Sequence, residues 1–251
     1  MPPRFHIDLP LHAGAELALP SGAARHVQVL RLQPQALITL FNGAGGEWQA
    51  TVLHMGRHDV TVRIGAHTSA DRELPVHITL ALGVPANERM DALVEKATEL
   101  GVGAIQPLQC ERSVLRLSGE RAGKKVAHWR GVALAACEQS GRTRVPAIEP
   151  VLGLHDWLGA LPGAGDTRRL LLSLRSVQPT PSSRVGAAAV LCLSGPEGGL
   201  TEAEEAAGRR HGFTAISLGA RVLRADTAPL ALLAHLALGS QEIGKIGRAH
   251  V

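Results

Sequence analysis

Aromatic side chains are scarce in this sequence, which has three Phe, three Trp and no Tyr among 251 residues. Binding nucleic acid mainly by base stacking needs several rings, so we do not expect that mode. Long apolar runs are also missing. None approaches the roughly 20 residues that cross a bilayer, and the start, MPPRFHIDLP, lacks the apolar segment of a signal peptide. We expect a cytoplasmic globular protein, without membrane contact, whose core is Ala, Leu and Val.

Cysteine is rare, and patterns of metal ligands are missing. Cys110, Cys137 and Cys192 lie far apart in apolar surroundings and form no CxxC pair, which predicts reduced core residues. His54 and His58 are four residues apart, but HMGRH is typical of a turn between strands. A zinc pair at this spacing needs a helical face. We therefore expect no metal site.

Positive charge is concentrated in one segment. Between Arg112 and Arg144 there are eight Lys or Arg residues against two acidic ones, whereas the whole chain carries a net charge of only +4. Such a block is typical of a surface that binds a phosphate backbone, but a solvated helix face can have the same composition. On charge alone both interpretations stay open.

Residues 1–73 have the pattern of a β domain. Runs such as ALITLFNG, EWQATVLHM and DVTVRIGAH are separated by glycine-containing turns. Short strands that follow one another closely in this way are typical of a small barrel or sandwich.

Residues 74–245 have a different pattern. Apolar runs such as VHITLAL, RLLLSL and AVLCLS alternate with segments of helical spacing such as RMDALVEKATELG. This alternation predicts an α/β domain with a parallel sheet covered by helices on both faces. We expect residues 226–238 to form a buried helix and residues 246–251 to be a loose tail.

A glycine-rich loop, LSGPEGGLTEAEE, follows the strand AVLCLS. It has neither the GxGxxG of a dinucleotide site nor the GK[ST] of a phosphate loop. Thr201 and Glu204 have the spacing of a capping box, and the three glutamates of TEAEE are expected to satisfy the positive helix end themselves. Because Glu197 adds further negative charge, the loop suits an adenine edge, a ribose or a cation better than a phosphate.

Two further loops carry charged side chains. In ARVLRADTAP, Arg221, Arg224 and Asp226 interrupt apolar sequence after a strand. A structural Arg224–Asp226 pair and a functional role are both compatible with this pattern. In CEQSGRTRVP, Arg142 and Arg144 follow a helix end, where polar residues cap the helix or contact phosphate.

Four segments in order resemble one family. ERMDALVEKATELGV with IQPLQCERSV, AACEQSGRTRVP, LSGPEGGLT and SLGARVLRADTA are similar to the RsmE family of ribosomal RNA methyltransferases in the SPOUT superfamily. The likeness extends to Arg4-Phe5 and to HVQVLR near the N-terminus. Where the family commonly has Leu-Arg-Thr-Glu-Thr, this chain has LRADT, so Asp226 retains a carboxylate on a side chain one carbon shorter.

This resemblance implies a PUA-like, RNA-binding β-barrel for residues 1–73. For residues 74–245 it implies a SPOUT α/β domain with a C-terminal trefoil knot, a rare feature among folds. The implied cofactor is S-adenosylmethionine, held in a bent form by the knot loops. The implied product is N3-methyluridine in 16S ribosomal RNA, made by a homodimer on RNA or on the small ribosomal subunit.

The resemblance also implies the residues of the site. For the reaction, Arg224 is expected to stabilise the anionic uracil, and Glu197 and Asp226 are the candidate bases. Contacts with RNA are expected from Arg4, Arg25, Arg31, Arg112, Arg142 and Arg144. Contacts with the cofactor are expected from Leu172, Leu174, Ser194, Gly195, Gly198, Gly199, Leu218, Gly219, Leu223 and Thr227.

Two other classes of protein compete with this interpretation. A non-catalytic RNA-binding protein can use the same barrel and basic block. A nucleotide-dependent oxidoreductase is disfavoured, because GxGxxG is missing.

Overall fold

The computed structural model describes residues 2–57, 59–86, 89–175, 178–180, 182 and 186–240. His58 and the predicted tail lie outside the described residues. The chain divides into two compact units, Met1–Glu73 with Leu134–Val145, and Leu74–Ala133 with Pro146–Val251. The break after Glu73 falls where the sequence pattern changes, but Leu134–Val145 belongs to the first unit rather than to the second.

Specific contacts explain why Leu134–Val145 belongs to the first unit. The carboxylate of Glu138 accepts a hydrogen bond from the backbone N–H of His6 at 2.9 Å. Arg142 forms an ion pair with Glu73. These partners are far apart along the chain, so a boundary read from local composition could not include them.

Besides the last turns of a longer helix, the described residues of the first unit form one helix and five strands: β1 (Arg4–His6), β2 (Glu16–Ala18), α1 (Ser21–Val29), β3 (Leu37–Phe41), β4 (Glu47–Met55) and β5 (Val60–Thr68). The strands form one sheet in the order β1-β3-β4-β5-β2. Strands β1 and β3 are parallel, and the other neighbours are antiparallel. Phe5, Ile38, Leu40 and Val62 are part of its buried core.

Helix α1 departs from the all-β expectation for residues 1–73. Pro20 precedes it with φ of −53°, a value that the proline ring favours. Ala24 and Val27 lie about one turn apart and are buried. Apolar residues in RHVQVLRL also alternate with polar ones, so periodicity alone did not separate helix from strand.

In the part of the chain that the structure describes, the second unit runs from β6 to α6. Its elements are β6 (His77–Gly83), α2 (Arg89–Glu99), β7 (Ala104–Gln109), α3 (Gly119–Ser140, whose last turns belong to the first unit), β8 (Ala147–Ile148), β9 (Leu152–Gly153), α4 (Leu154–Ala160), β10 (Thr167–Leu172), β11 (Ala189–Ser194), α5 (Glu202–Arg210), β12 (Thr214–Ile216) and α6 (Thr227–Ser240).

The sheet of the second unit is parallel. Its strand order is β12-β10-β11-β6-β7-β8, and β9 also pairs with β7. On β6, Leu80 and Leu82 belong to a core that contains residues of α2, α3 and α6, whereas Ala81 belongs to a core with residues of α4 and α5. The predicted sheet with helices on both faces is therefore confirmed. Strand order does not define how the loops thread, so the trefoil knot stays a prediction.

Helix α6 is buried on one side only. Leu232, Leu233 and Leu236 are buried, whereas Leu238 is 71% exposed. The expectation of a buried helix over residues 226–238 is wrong for this face, because apolar composition does not show whether other parts of the chain cover every side. Within the described ranges, no helix is long and apolar enough to cross a membrane.

Candidate functional site

Residues at and after the ends of β10, β11 and β12 line an open cavity of about 200 Å³. Because these neighbouring strands are parallel, their carboxyl ends meet at one edge of the sheet, the usual ligand position in open α/β sheets. The cavity is lined by residues 172–174, 194–199, 216–219, 221–223, 225 and 228.

Most residues that we expected to contact a cofactor line this cavity: Leu172, Leu174, Ser194, Gly195, Gly198, Gly199, Leu218, Gly219 and Leu223. Thr227, the tenth, begins α6 and is not among the lining residues. Glu197 lines the cavity, whereas Arg224 and Asp226 do not. Arg221 does line it, although the sequence assigned it no role.

Within the described chain, Arg224 and Asp226 form no ion pair with each other; the Asp226 carboxylate accepts from the backbone N–H of Thr227 at 3.1 Å. The structural pair considered from the sequence is therefore wrong. The sequence could not show which of Arg221 and Arg224 faces the cavity. Residues in an irregular loop have no periodicity from which the direction of a side chain can be predicted.

Gly83, at the end of β6, lies directly against the glycine loop. A Cβ atom on Gly83 would be 2.5 Å from the backbone nitrogen of Pro196, and one on Gly195 would be 2.7 Å from the backbone nitrogen of Leu200. Both distances are far inside van der Waals contact. Glycine at these positions therefore lets the loop fold on itself and pack against β6.

The capping box predicted at the start of α5 is present. The Thr201 hydroxyl accepts from the N–H of Glu204 at 3.2 Å, and the Glu204 carboxylate accepts from the N–H of Thr201 at 2.8 Å. The other carboxylate oxygen of Glu204 accepts from the backbone N–H of Glu111 at 2.8 Å. Glu204, which is buried, thus joins α5 to the loop after β7.

Glu197 joins the glycine loop to the loop after β6. Its carboxylate accepts from the backbone N–H of Ala86 at 2.8 Å and lies 3.6 Å from the Arg89 guanidinium. These contacts tie the two loops together, and the expected role of Glu197 as a base stays a prediction.

Glu205 joins α5 to the loop after β10. It accepts from Ser173 at 3.0 Å, from Arg175 at 2.8 Å and from Arg209 at 2.9 Å. Glu202 is 86% exposed. All three glutamates lie in the first turn of α5, as expected, but their side-chain contacts differ. Within the described chain only Glu204 caps the backbone with its side chain, and Glu205 binds side chains instead.

Two arginines that we expected to contact RNA are buried in the first unit. The Arg4 side chain is 8% exposed, forms an ion pair with Glu47 and donates to the carbonyls of Gly141 and Arg142. The Arg142 side chain is 5% exposed and forms an ion pair with Glu73. Because both guanidinium groups are bound inside the unit, the expectation that they contact phosphate is corrected.

The other arginines with an expected RNA contact are exposed. In the first unit Arg25 lies on α1, Arg31 follows the end of α1 with φ of 54°, and Arg144 lies over Gly45. In the second unit Arg112 donates to the carbonyl of Gly198 at 3.0 Å. Arg112 thus contacts the glycine loop, which the sequence did not predict.

The three cysteines are free and buried, as predicted. Burial raises the pKa of the Cys110 and Cys192 thiols to about 12 and that of Cys137 to about 11. Among the described residues, no group of three or more His, Cys, Asp or Glu side chains is arranged to hold a metal ion.

Comparison with known proteins defines the class. Residues 72–237 match the family described as "RNA methyltransferase domain", and residues 19–65 match "RNA methyltransferase PUA domain". The chain therefore has an RNA methyltransferase domain preceded by a PUA domain. This confirms the predicted combination of an α/β methyltransferase domain and a PUA-like domain.

Individual relatives narrow the class to one family. Ribosomal RNA small subunit methyltransferase E of Bacillus subtilis is 31% identical over 214 residues, covering 81% of this chain and 82% of its own length. The Synechocystis protein of the same name is 32% identical over 227 residues, covering 88% of this chain and 73% of its own length. Ribosomal RNA small subunit methyltransferase E of Neisseria gonorrhoeae, crystallised with bound S-adenosyl methionine, is 37% identical and matches with a TM-score of 0.87 over 93% of this chain and 96% of that one. The chain belongs to the ribosomal RNA small subunit methyltransferase E family.

Proposed function

We propose that this protein transfers a methyl group from S-adenosylmethionine to N3 of a uridine in 16S ribosomal RNA. The observation that carries the proposal is the cavity at the carboxyl ends of β10, β11 and β12. Its supporting context is the Neisseria relative, which has S-adenosyl methionine bound and matches nearly the whole chain.

The chemistry of the cavity fits this cofactor. Leu172, Leu174 and Leu223 offer apolar surface to a purine ring. The glycine loop offers backbone N–H and C=O groups at close range. Glu197 places a carboxylate in the lining, which suits a positive sulfonium.

When bound, the cofactor supplies an electrophilic methyl group. The uridine N3 proton must leave, because a neutral imide nitrogen is a poor nucleophile. We assign to Arg221, which lines the cavity, the stabilisation of the negative charge that develops on the uracil oxygen. Arg224, exposed and outside the lining, is assigned to RNA contact instead of the role expected from the sequence.

The two carboxylates considered as bases have other partners. Glu197 accepts from Ala86 and faces Arg89, which supports a role in holding the loop. Asp226 accepts from Thr227 and is outside the cavity lining. Catalysis therefore depends mainly on positioning the two substrates, and the N3 proton is released to solvent.

We assign RNA binding to the exposed arginines of both units. Arg25, Arg31 and Arg144 supply positive charge in the first unit, and Arg112 supplies it in the second. Contacts of this kind release counterions from the RNA, so the affinity should fall steeply with salt concentration.

We propose a homodimer that acts in the cytoplasm. Support for the dimer comes from apolar side chains exposed in the second unit, where Leu174 is 75%, Val222 76% and Leu238 71% exposed. Leu174 and Val222 also line the cavity, so a partner copy at this surface would complete the site. The ribosomal substrate and the reduced cysteines support the location. Sedimentation equilibrium tests the dimer, and a monomer at micromolar concentration would contradict it.

One experiment tests the function as a whole. S-adenosylmethionine is titrated calorimetrically into the protein, and purified 16S RNA and assembled small subunits are each incubated with protein and cofactor. We expect cofactor binding and one new methylated uridine, mapped by mass spectrometry. Absence of both cofactor binding and a new methylated uridine would overturn the proposal in favour of a non-catalytic RNA-binding protein.

A further inference from the structure

Glu205 is a buried carboxylate immediately outside the cavity. Its side chain is 5% exposed, and Glu205 is not among the lining residues. One oxygen accepts from Arg175, and the other accepts from both Ser173 and Arg209. Three donors on one carboxylate, two of them cationic, make a strong and directional arrangement.

Ser173 connects this arrangement to the cavity. Ser173 lines the cavity together with Leu172 and Leu174. Its hydroxyl donates to Glu205 at 3.0 Å and accepts from the backbone N–H of Arg175 at 3.1 Å. The hydroxyl is thus bound on the side of Glu205, and the two leucines supply the remaining surface of this wall.

The charges explain why a carboxylate is needed at this position. The Arg175 and Arg209 side chains are 45% and 47% exposed, and both donate to Glu205. Without the negative charge, nothing on this side chain would offset the two guanidinium groups, and an amide NH2 in place of one oxygen would set a donor against the three donors that now share the carboxylate. The loop after β10 would then lose its buried connection to α5.

We propose that Glu205 is a positioning residue for the cofactor site. By holding Ser173 and Arg175, it keeps the wall formed by residues 172–174 in the shape that receives the ligand. Preorganisation of this kind raises affinity without direct contact. The inference rests on the proposed function, because it takes S-adenosylmethionine as the ligand of the cavity.

The test is calorimetric titration of S-adenosylmethionine into the full chain and four variants. Glu205→Gln keeps the shape of the side chain but removes its charge, and we expect the affinity to fall about tenfold or more. Ser173→Ala removes only the hydroxyl, and we expect a fall of about three- to tenfold.

Glu202→Gln is the matched control. Glu202 lies in the same helical turn and loses the same charge, but it is 86% exposed and reaches only 3.8 Å from Arg175. Its affinity for the cofactor should stay within about twofold of the unmodified protein, since exposed ion pairs contribute little. If both Glu202→Gln and Glu205→Gln lose the same affinity for the cofactor, the cause is the loss of a negative charge from α5 rather than positioning. That result would overturn the proposal.

The double variant separates positioning from general destabilisation. If Glu205 acts through Ser173, the pair Ser173→Ala with Glu205→Gln binds no more weakly than Glu205→Gln alone. A Glu205→Gln protein that melts at lower temperature but binds the cofactor normally overturns the inference. If Glu205→Gln does not fold, Ser173→Ala decides, and normal cofactor affinity in that variant is the contrary result. If the unmodified protein does not bind the cofactor, the proposed function fails first.

Discussion

The carboxylate of Glu197 accepts a hydrogen bond from the backbone N–H of Ala86 at 2.8 Å. The two residues are 111 positions apart, and their contact joins the glycine loop to the loop after β6. A glutamate that holds a loop through its oxygen can be replaced by glutamine, which retains an acceptor.

We therefore expect Glu197→Gln to keep turnover within about fivefold of the unmodified protein and Glu197→Ala to lose about tenfold or more. The measurement is initial rate at saturating cofactor and RNA. If Glu197 takes the N3 proton instead, Glu197→Gln should lose as much activity as Glu197→Ala.

The close approach of Gly83 to Pro196 predicts a strong effect of one methyl group. Gly83→Ala should lower the free energy of unfolding by about 1–3 kcal/mol, because the extra carbon overpacks the contact, and it should weaken cofactor binding by displacing the loop. Gly159→Ala is the control. Nothing lies within 4 Å of a Cβ at Gly159 in α4. The free energy of unfolding of Gly159→Ala should therefore rise by about 0.5–1 kcal/mol, because alanine loses less conformational entropy than glycine in a helix. Urea unfolding measures both, and equal stability of the two variants would contradict the packing argument.

Arg142 and Arg144 lie two positions apart, but we expect their replacement to have different effects. Removing buried Arg142 leaves Glu73 without its ion-pair partner and should cost about 3–5 kcal/mol of stability. Arg144 is exposed, so Arg144→Ala should change stability by less than about 0.5 kcal/mol. Arg144→Ala should also weaken RNA binding, and the slope of log affinity against log salt concentration should become shallower by about one. Thermal melts and RNA titrations at several salt concentrations separate the two. A salt dependence unchanged in Arg144→Ala would remove this residue from the RNA surface.

Arg221 and Arg224 are distinguished by the cavity. We expect Arg221→Ala to lower kcat by about 100-fold with little change in the KM for RNA, because charge stabilisation acts in the transition state. Arg224→Ala should mainly raise the KM for RNA. Steady-state kinetics at saturating cofactor measure both parameters. A lower kcat in Arg224→Ala with a raised KM in Arg221→Ala would instead assign the catalytic role to Arg224.

The buried cysteines should be unreactive in the folded protein. Burial raises the pKa of the Cys110 thiol from 9.0 to about 12, so at pH 8 very little thiolate is present. Because the pKa is raised on folding, the resulting stability is complete below about pH 9 and is lost as the pH rises toward 12. A thiol reagent at pH 8 should label none of the three cysteines before denaturation and all three after it. Rapid labelling of the native protein would contradict the burial.

Several features were predictable because they depend on neighbouring residues. The capping box follows from the spacing of Thr201 and Glu204, since both partners lie in the same helical turn. The parallel sheet follows from apolar runs that alternate with helical spacing. Parallel strands place their carboxyl ends together, so the three loops of the cavity could be predicted from their positions after strands.

Helix α1 shows where this reasoning stops. The spacing of Ala24 and Val27 becomes decisive only when the core that they enter is known. Arg4 and Arg142 were expected to lie on the surface, because the neighbouring sequence does not indicate that Glu47 and Glu73 are their ion-pair partners.

The sequence by itself determined that the glycine loop is acidic, that it caps a helix and that it lies at the edge of a parallel sheet. Only the tertiary structure decided the partners of its carboxylates: Glu197 binds the loop after β6, Glu204 the loop after β7 and Glu205 the loop after β10. Backbone periodicity reflects hydrogen bonds between residues a few positions apart. Contacts of charged side chains depend on which distant segments the fold brings within about 3 Å.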